Sequence, residues 1–317
     1  MSTQGFSGEA GTFIAVDRGY FQAEGLDVSF VPNLQGPSAL AALLSGDVDF
    51  SANAMDVSLI NAVQRNIDER IVAPLTYIPP EDKNAAIIVR KDLVDSGAYK
   101  QPSDFKGMTI GIGQAPKTSA QLFVEKALAK GNLKASDANL QTIGFPDMLP
   151  ALANKKMDAS WEIEPLATVA EDQKIATEVL WAGQLFPNYD PFLYIVAPKF
   201  ATGNPDAVKR FTVAFLRGQR DYYNAFQKNI GGQAAKDAII QSLVAHTTIK
   251  DPKTYQELTD KGRMQSVDPN GAFHIDGFNA LQDYWIQVGT AQNKIDLNKS
   301  IDSTAMDYAL QRLGKVS

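Results

Sequence analysis

One short pattern occurs twice in this chain at identical spacing, and it narrows the folds open to the sequence. Leu40-x-Ala42-Leu43 with Asp49-x-Ser51 returns as Leu149-x-Ala151-Leu152 with Asp158-x-Ser160. Each copy reads as a helix, a tight turn, an aspartate and a short strand, with a loop beyond. The echo predicts two units of the same local architecture, each presenting a loop after a strand end. In open α/β sheets, ligands sit at such carboxyl-end loops. A chain of 317 residues has the length for two separate cores.

Strand-like and helix-like segments alternate around the two copies, which predicts an α/β fold with largely parallel sheets. Helices are expected over 11–22, 39–44, 57–64 and 120–130, and strands over 26–31, 48–51 and 71–75. Two apolar runs, 84–90 and 191–197, are expected to be hinge strands that cross between lobes. That reading gives a discontinuous first lobe, 1–83 plus 196–317, and a second lobe, 84–195. The tail reads as helices over 207–227, 233–246, 252–264, 277–288 and 304–313, and is expected to pack on the first lobe.

Composition excludes several function classes. The chain has no cysteine, so thiol nucleophiles, disulfides, zinc knuckles and iron–sulfur ligands are unavailable. His246 and His274 stand in different segments and belong to no ligand-spacing or nucleophile motif, so each is expected to be structural or superficial. The longest apolar runs fall far short of the roughly 20 residues of a membrane span. No basic, apolar leader stands at the amino end, so any export signal is expected outside this sequence. The net charge of −6 is dispersed, with no basic block to suggest nucleic acid. Gly111-x-Gly113 lacks a third glycine at dinucleotide spacing.

Ala15-x-Asp17-x-Gly19-Tyr20-Phe21-x-x-Glu24-Gly25-Leu26-Asp27-Val28 resembles the amino-terminal signature of nitrate-, sulfonate- and taurine-type binding proteins, a group that includes binders of thiamine-pyrimidine precursors. Leu43-x-Ser45-Gly46-Asp47-Val48-Asp49-Phe50 is similar to that family's aspartate turn. So are Asp104-Phe105-Lys106-Gly107-Met108-Thr109-Ile110-Gly111, Lys156-Met157-Asp158-Ala159-Ser160-Trp161 and Glu164-Pro165 to later motifs, in the expected order. The resemblance implies a two-lobed type II periplasmic-binding-protein fold, with two mixed sheets flanked by helices and a cleft between lobes. It further implies hinge closure on a small molecule, a periplasmic or extracytoplasmic location, and an ABC permease and ATPase complex as partner. The family normally has a complete first strand, whereas only Met1–Phe6 precede the glycine-rich loop here.

Five sets of residues are expected to line the cleft. Phe6, Gly8 and Glu9 lie in a glycine-rich loop that ends at a helix N-terminus, where free N–H groups favour a ligand acceptor or an anion. Asn33 lies in the loop before the helix that Ser38 opens. Asn53 and Asp56 follow the first aspartate turn, and Asp56 reads equally as a helix cap. Gln114, Thr118 and Ser119 precede the helix over 120–130, and the last two read as caps, contacts or both. Trp161, Glu162 and Glu164, with Tyr189 and Asp190, form the fifth set, and Tyr77 is a further wall. For Trp161 the competing reading is core.

These loops carry Glu9, Asp56, Glu162, Glu164 and Asp190 against Lys117 as the one basic residue. An unpaired like charge at ~4 Å costs on the order of 1–4 kcal/mol at effective dielectrics of 80 to 20. Flat surfaces on Phe6, Tyr77, Trp161 and Tyr189 suit a planar ligand. The expected ligand is therefore a small nitrogen-bearing solute, an aminopyrimidine or amine, with an alkanesulfonate, taurine or nitrate-type anion as the alternative. Glu162 and Glu164 are the right type for acid–base work, but no nucleophile or cofactor motif accompanies them. The related desulfinase and pyrimidine-forming proteins depend on cysteines that this chain lacks. A binder without cofactor or metal is expected, not an enzyme.

Overall fold

The computed structural model describes residues 1–32, 34, 36–64, 70–113 and 115–316. Its strands are β1 (Ser2–Thr3), β2 (Val31–Pro32), β3 (Phe50–Ala54), β4 (Arg70–Pro74), β5 (Ala85–Arg90), β6 (Thr109–Gly111), β7 (Asn139–Gln141), β8 (Ala159–Ile163), β9 (Ala176–Trp181) and β10 (Phe192–Val196). They form two mixed five-stranded sheets, ordered β2-β1-β3-β10-β4 and β7-β6-β8-β5-β9.

The sequence echo is a structural one. Helix Gly36–Ser45 leads into β3 and helix Phe145–Ala153 into β8, and both strands hold the third place in their sheets. Ser51 pairs with Ser2 of β1, and Ser160 pairs with Gly111 of β6. Leu43 and Leu152 are both buried beneath their sheets.

Each sheet contains one antiparallel strand, the first that the chain forms after crossing from the other sheet. β5 lies between β8 and β9, and β10 lies between β3 and β4. All six residues of β5 are buried, as a continuous apolar run should be when both faces of a sheet are covered. The expected second lobe, 84–195, therefore overruns its sheet. Phe192 to Ile195 pair with β3 and β4, because Leu193 and Ile195 pack into the central core while Tyr194 packs against Phe211 and Phe215. The crossings themselves are 75–84 and 182–191.

Other expectations shift locally. The helix expected over 11–22 breaks at Gly19, whose φ of +68° ends Ala10–Asp17 before Tyr20–Ala23 begins. The strand expected over 26–31 survives only as β2, and β1 is two residues long. The helix expected over 252–264 stops at Asp260, before Gly262 at φ +63°. Beyond it the chain runs along the first crossing, where the Tyr77 amide donates to the Ser266 carbonyl at 2.9 Å.

One core spans both sheets on the side of helices Ser119–Lys130 and Ile275–Gln287, joining Met55, Phe123, Trp161, Phe186, Tyr189, Phe278 and Tyr284. The Tyr284 hydroxyl donates to Glu125 Oε1 across this seam at 3.2 Å. The tail helices Gly232–His246 and Pro252–Asp260 pack against Phe13, Ile14 and Tyr222, on the first sheet's side.

Helix Pro205–Phe226 buries Val208, Phe211, Phe215 and Leu216 on one face and meets helix Ala10–Asp17 where both backbones come close. A Cβ on Gly218 would land on the Gly11 carbonyl oxygen and lie 3.0 Å from the Ala15 amide nitrogen. Gly218→Ala is expected to cost about 1–3 kcal/mol of unfolding free energy in urea titrations followed by circular dichroism, as overpacking does. Gly203→Ala, at a site with nothing within 4 Å, is expected to leave stability unchanged.

Candidate ligand cleft

The loops after β3 and before helix Ser119–Lys130 meet at a tyrosine from the return crossing. Buried Tyr189 donates its hydroxyl to the Met55 backbone carbonyl at 3.0 Å, and the Ser119 side chain is its other hydrogen-bonding partner. Residues attached to both sheets thus share one hydrogen-bond centre. Half-buried Asp56 follows directly, at the start of helix Val57–Gln64. Asn53, nearly buried, donates to the Ser51 carbonyl at 3.1 Å. Thr118 precedes its helix without capping it, its hydroxyl donating to the Ala115 carbonyl at 3.3 Å. Asn33 and Gln114 lie outside the described residues.

Glu9 does something the sequence reading did not foresee. Its Oε2 accepts from Thr3 Oγ1 at 2.9 Å and from the amides of Gln4, Gly5 and Phe6 at 3.0, 2.9 and 3.4 Å. The carboxyl therefore sits beneath its own loop and takes up the amides of Gln4, Gly5 and Phe6, which precede the helix N-terminus whose N–H groups were expected to face a ligand or an anion. Burial pushes this carboxyl up to about 7, against the pull of those donors. Phe6 covers the loop from above. A Cβ on Gly8 would collide with its ring and approach Gln265 Oε1 to 2.6 Å. Phe6 also packs on Phe192 at 4.5 Å between centroids.

The fifth set divides between the two faces of β8. Trp161, 5% exposed, stacks on Phe123 at 4.0 Å in the central core. Glu162, on the other face, is fully buried opposite Ala86. Ser160 Oγ donates to its Oε1 at 3.5 Å, and Oε2 has no hydrogen-bond partner among the described residues. Burial pushes Glu162 up to about 8. Glu164 accepts the Thr168 amide at 3.0 Å and faces Arg263 Nη1 at 3.4 Å. Burial lifts it to about 7 in spite of those partners.

Asp190 is also engaged. It accepts from the His274 amide at 2.6 Å and pairs with His274 Nδ1 at 2.7 Å, at the start of helix Ile275–Gln287. Tyr77 stacks on that imidazole at 3.7 Å and 11°, and its hydroxyl donates to Asn188 Oδ1 at 2.9 Å. The structure thus gathers Met55, Asp56, Ser119 and Tyr189 in one place, and Tyr77, Asp190 and His274 in another on the same crossings. His274, Arg263 and Gln265 were not anticipated. All three come from the tail, and no local pattern marks them. Among the described residues, no three His, Cys, Asp or Glu side chains group as a metal site, and no helix is long and apolar enough to cross a membrane.

A model of the family described as NMT1/THI5-like matches residues 7–227. A Brucella abortus protein provisionally named as a binding protein is 24% identical over 295 residues, covering 90% of this chain and 83% of its own. The riboflavin-binding protein RibY of Chloroflexus aurantiacus is 26% identical over 212 residues, 66% of this chain and 57% of its own. Among solved structures, the periplasmic nitrate-binding protein NrtA of Synechocystis PCC 6803 superposes with a TM-score of 0.75 at 15% identity, covering 99% and 88% of the two chains. The desulfurization enzyme DszB superposes at 0.66 with 14% identity, covering 95% and 96%. At such identities the superpositions speak for the fold alone.

Glu9, Glu162 and Glu164 keep protons in the fold at pH values where ordinary glutamates near 4.5 have lost them. The native state then binds more protons than the unfolded one, so stability is whole below about pH 4.5 and falls as pH rises. The loss extends to about pH 7 for Glu9 and Glu164 and to about 8 for Glu162. In urea titrations at pH 5, 6, 7 and 8, Glu162→Gln is expected to flatten the decline by up to about 1.4 kcal/mol per pH unit. A variant profile parallel to the parent's would contradict this assignment.

Proposed function

Because the chain belongs to the NMT1/THI5-like family, we propose that it captures a small organic solute between its two sheets and delivers it unaltered to an ABC-type permease and ATPase. The site is an extracytoplasmic one in this reading, as in the periplasmic nitrate-binding neighbour. The ligand is a flat, nitrogen-bearing molecule of pyrimidine-like or amine character.

The observation that carries the ligand class is the fate of the first loop's donors. Three consecutive amides that lead into this loop are committed to Glu9 and cannot join an anion cradle, which requires oriented amides. Glu162 adds a buried carboxyl with a bare oxygen, able to donate when protonated and to accept from an N–H when ionised. Phe6 with Phe192 and Tyr77 with His274 supply flat walls. The riboflavin-binding relative is a precedent for a planar nitrogen heterocycle. Of the five cleft-loop acids, Glu9, Glu164 and Asp190 are spent on internal partners.

An anion remains the second reading, favoured by the uncapped N-terminus of helix Ser119–Lys130 and by the nitrate-binding neighbour. An enzymatic role has less support. The likeness to DszB is one of fold, the chain has no cysteine, and Glu164 is tied to Arg263 rather than free to work with Glu162.

A thermal-shift screen tests the ligand class, with aminopyrimidines, amines and flavins set against taurine, alkanesulfonates and nitrate. A true ligand at a hundred times its Kd adds about 2.7 kcal/mol to stability. The nitrogen compounds are expected to stabilise the protein, and Glu162→Gln is expected to weaken that effect. Stabilisation by anions alone, undiminished in Glu162→Gln and Asp56→Asn, would establish the anion reading instead.

A further inference from the structure

The tail that packs on the first sheet's side sends one arginine into the second. Arg263 is buried, and its Nη1 lies 2.7 Å from Glu178 Oε1, 2.9 Å from Thr168 Oγ1 and 3.4 Å from Glu164 Oε1. Its Nη2 lies 2.9 Å from Glu171 Oε2. The guanidinium also stands over the Trp181 ring at 4.8 Å. Glu178 and Trp181 belong to β9, Thr168 and Glu171 to the helix Leu166–Asp172, and Glu164 to the turn between β8 and that helix. Lys261 reinforces the contact from the rim, reaching Glu171 at 3.1 Å and Asp172 at 2.9 Å while Glu257 holds it at 2.8 Å.

The same residue is tied to the first crossing. Asn84 Nδ2 donates to the Arg263 carbonyl at 3.1 Å, and the Asn84 carbonyl accepts the Glu164 amide at 2.9 Å. Arg263, Asn84 and Glu164 therefore close a ring of contacts around the end of β8, one residue from Ile163, which is 40% exposed. Two covalent crossings join the sheets, and this is a third, made by side chains.

We propose that Arg263 is a positioning residue, a strap that fixes the spacing of the two sheets and the set of the β8 end. The relevance to capture rests on the reading that the space between the sheets is the ligand cleft. Opening that cleft must either sever the arginine's pairs or carry residues 261–266 along with the second sheet. Severing them is the costlier course, because an acidic pocket stripped of its one buried cation holds uncompensated charge. A planar guanidinium fits Glu164, Glu178 and Glu171 at once, which the point charge of a lysine does not.

The test uses the full chain without ligand, so its failure is separable from failure to find a solute. Arg263→Met and Arg263→Lys are compared with the parent by small-angle scattering and by hydrogen exchange at the Thr168 amide, which Glu164 holds. The methionine variant is expected to show a larger radius of gyration and exchange faster on the order of a hundredfold, the loss associated with a severed buried pair. Lysine is expected to rescue part of both effects, and the parent itself to loosen in 1 M salt only at the Lys261 rim. A folded Arg263→Met protein with unchanged radius and exchange would overturn the proposal. If Arg263→Met does not fold, Glu171→Gln and Arg263→Lys decide: exchange at Thr168 must rise in both, and no change in either refutes the strap.

Discussion

The space between the two sheets depends on two antiparallel strands, β5 and β10, each entered directly from a crossing and set in the interior of its sheet. A strand with neighbours on both sides has its backbone donors and acceptors committed, so its ends are fixed points. The segments that enter these strands inherit that rigidity. Tyr77 leaves β4 on one crossing, and Tyr189 and Asp190 approach β10 on the other. The two crossings pair with each other, Ile78 with Tyr189. The candidate binding wall therefore lies on the same short stretches of chain that link the two sheets.

Charge in this region is decided by partners rather than by residue type. Five acids stand in the loops that topology brings together, and an acidic cleft would follow from counting them. Three are spent internally: Glu9 on its own loop, Glu164 on Arg263 and the Thr168 amide, and Asp190 on His274. The consequence of the Glu9 arrangement is specific. The first loop is built tightly by a carboxylate acceptor placed below it, and for that reason it has no amides at those positions to offer an anion above. Glu162 shares with Glu9 a buried oxygen that no described residue satisfies, but its other oxygen has only the 3.5 Å contact with Ser160, and an unmet buried acceptor is costly enough to favour a partner that satisfies it.

The fold was legible where the signal is local and repeated. Ten-residue helical periodicities, the apolar run Ala85–Val89 of β5 and the echo at Leu40 and Leu149 each carry their own pattern, and each element formed near its expected place. β1, β2, β6 and β7 are two or three residues long, too short for alternation to register, and their pairing is set by neighbours distant in sequence. The candidate site shows the same divide. Position beside the end of a strand or the start of a helix was enough to nominate Tyr77, Ser119 and Tyr189, whereas the use of Trp161 depends on Phe123 lying beneath it. His274, Gln265 and Arg263 arrive from tail segments that topology alone lays against the crossings, so neither motif nor periodicity reveals them.

The central claim is capture of one small solute per chain without chemistry. Native mass spectrometry tests it directly: a compound that stabilises the protein is incubated with it, the complex is weighed, and the released molecule is weighed again after denaturation. The account predicts a one-to-one complex that returns the compound at its original mass after prolonged incubation. A released product of different mass, accumulating beyond one equivalent, would make this chain an enzyme and contradict the account.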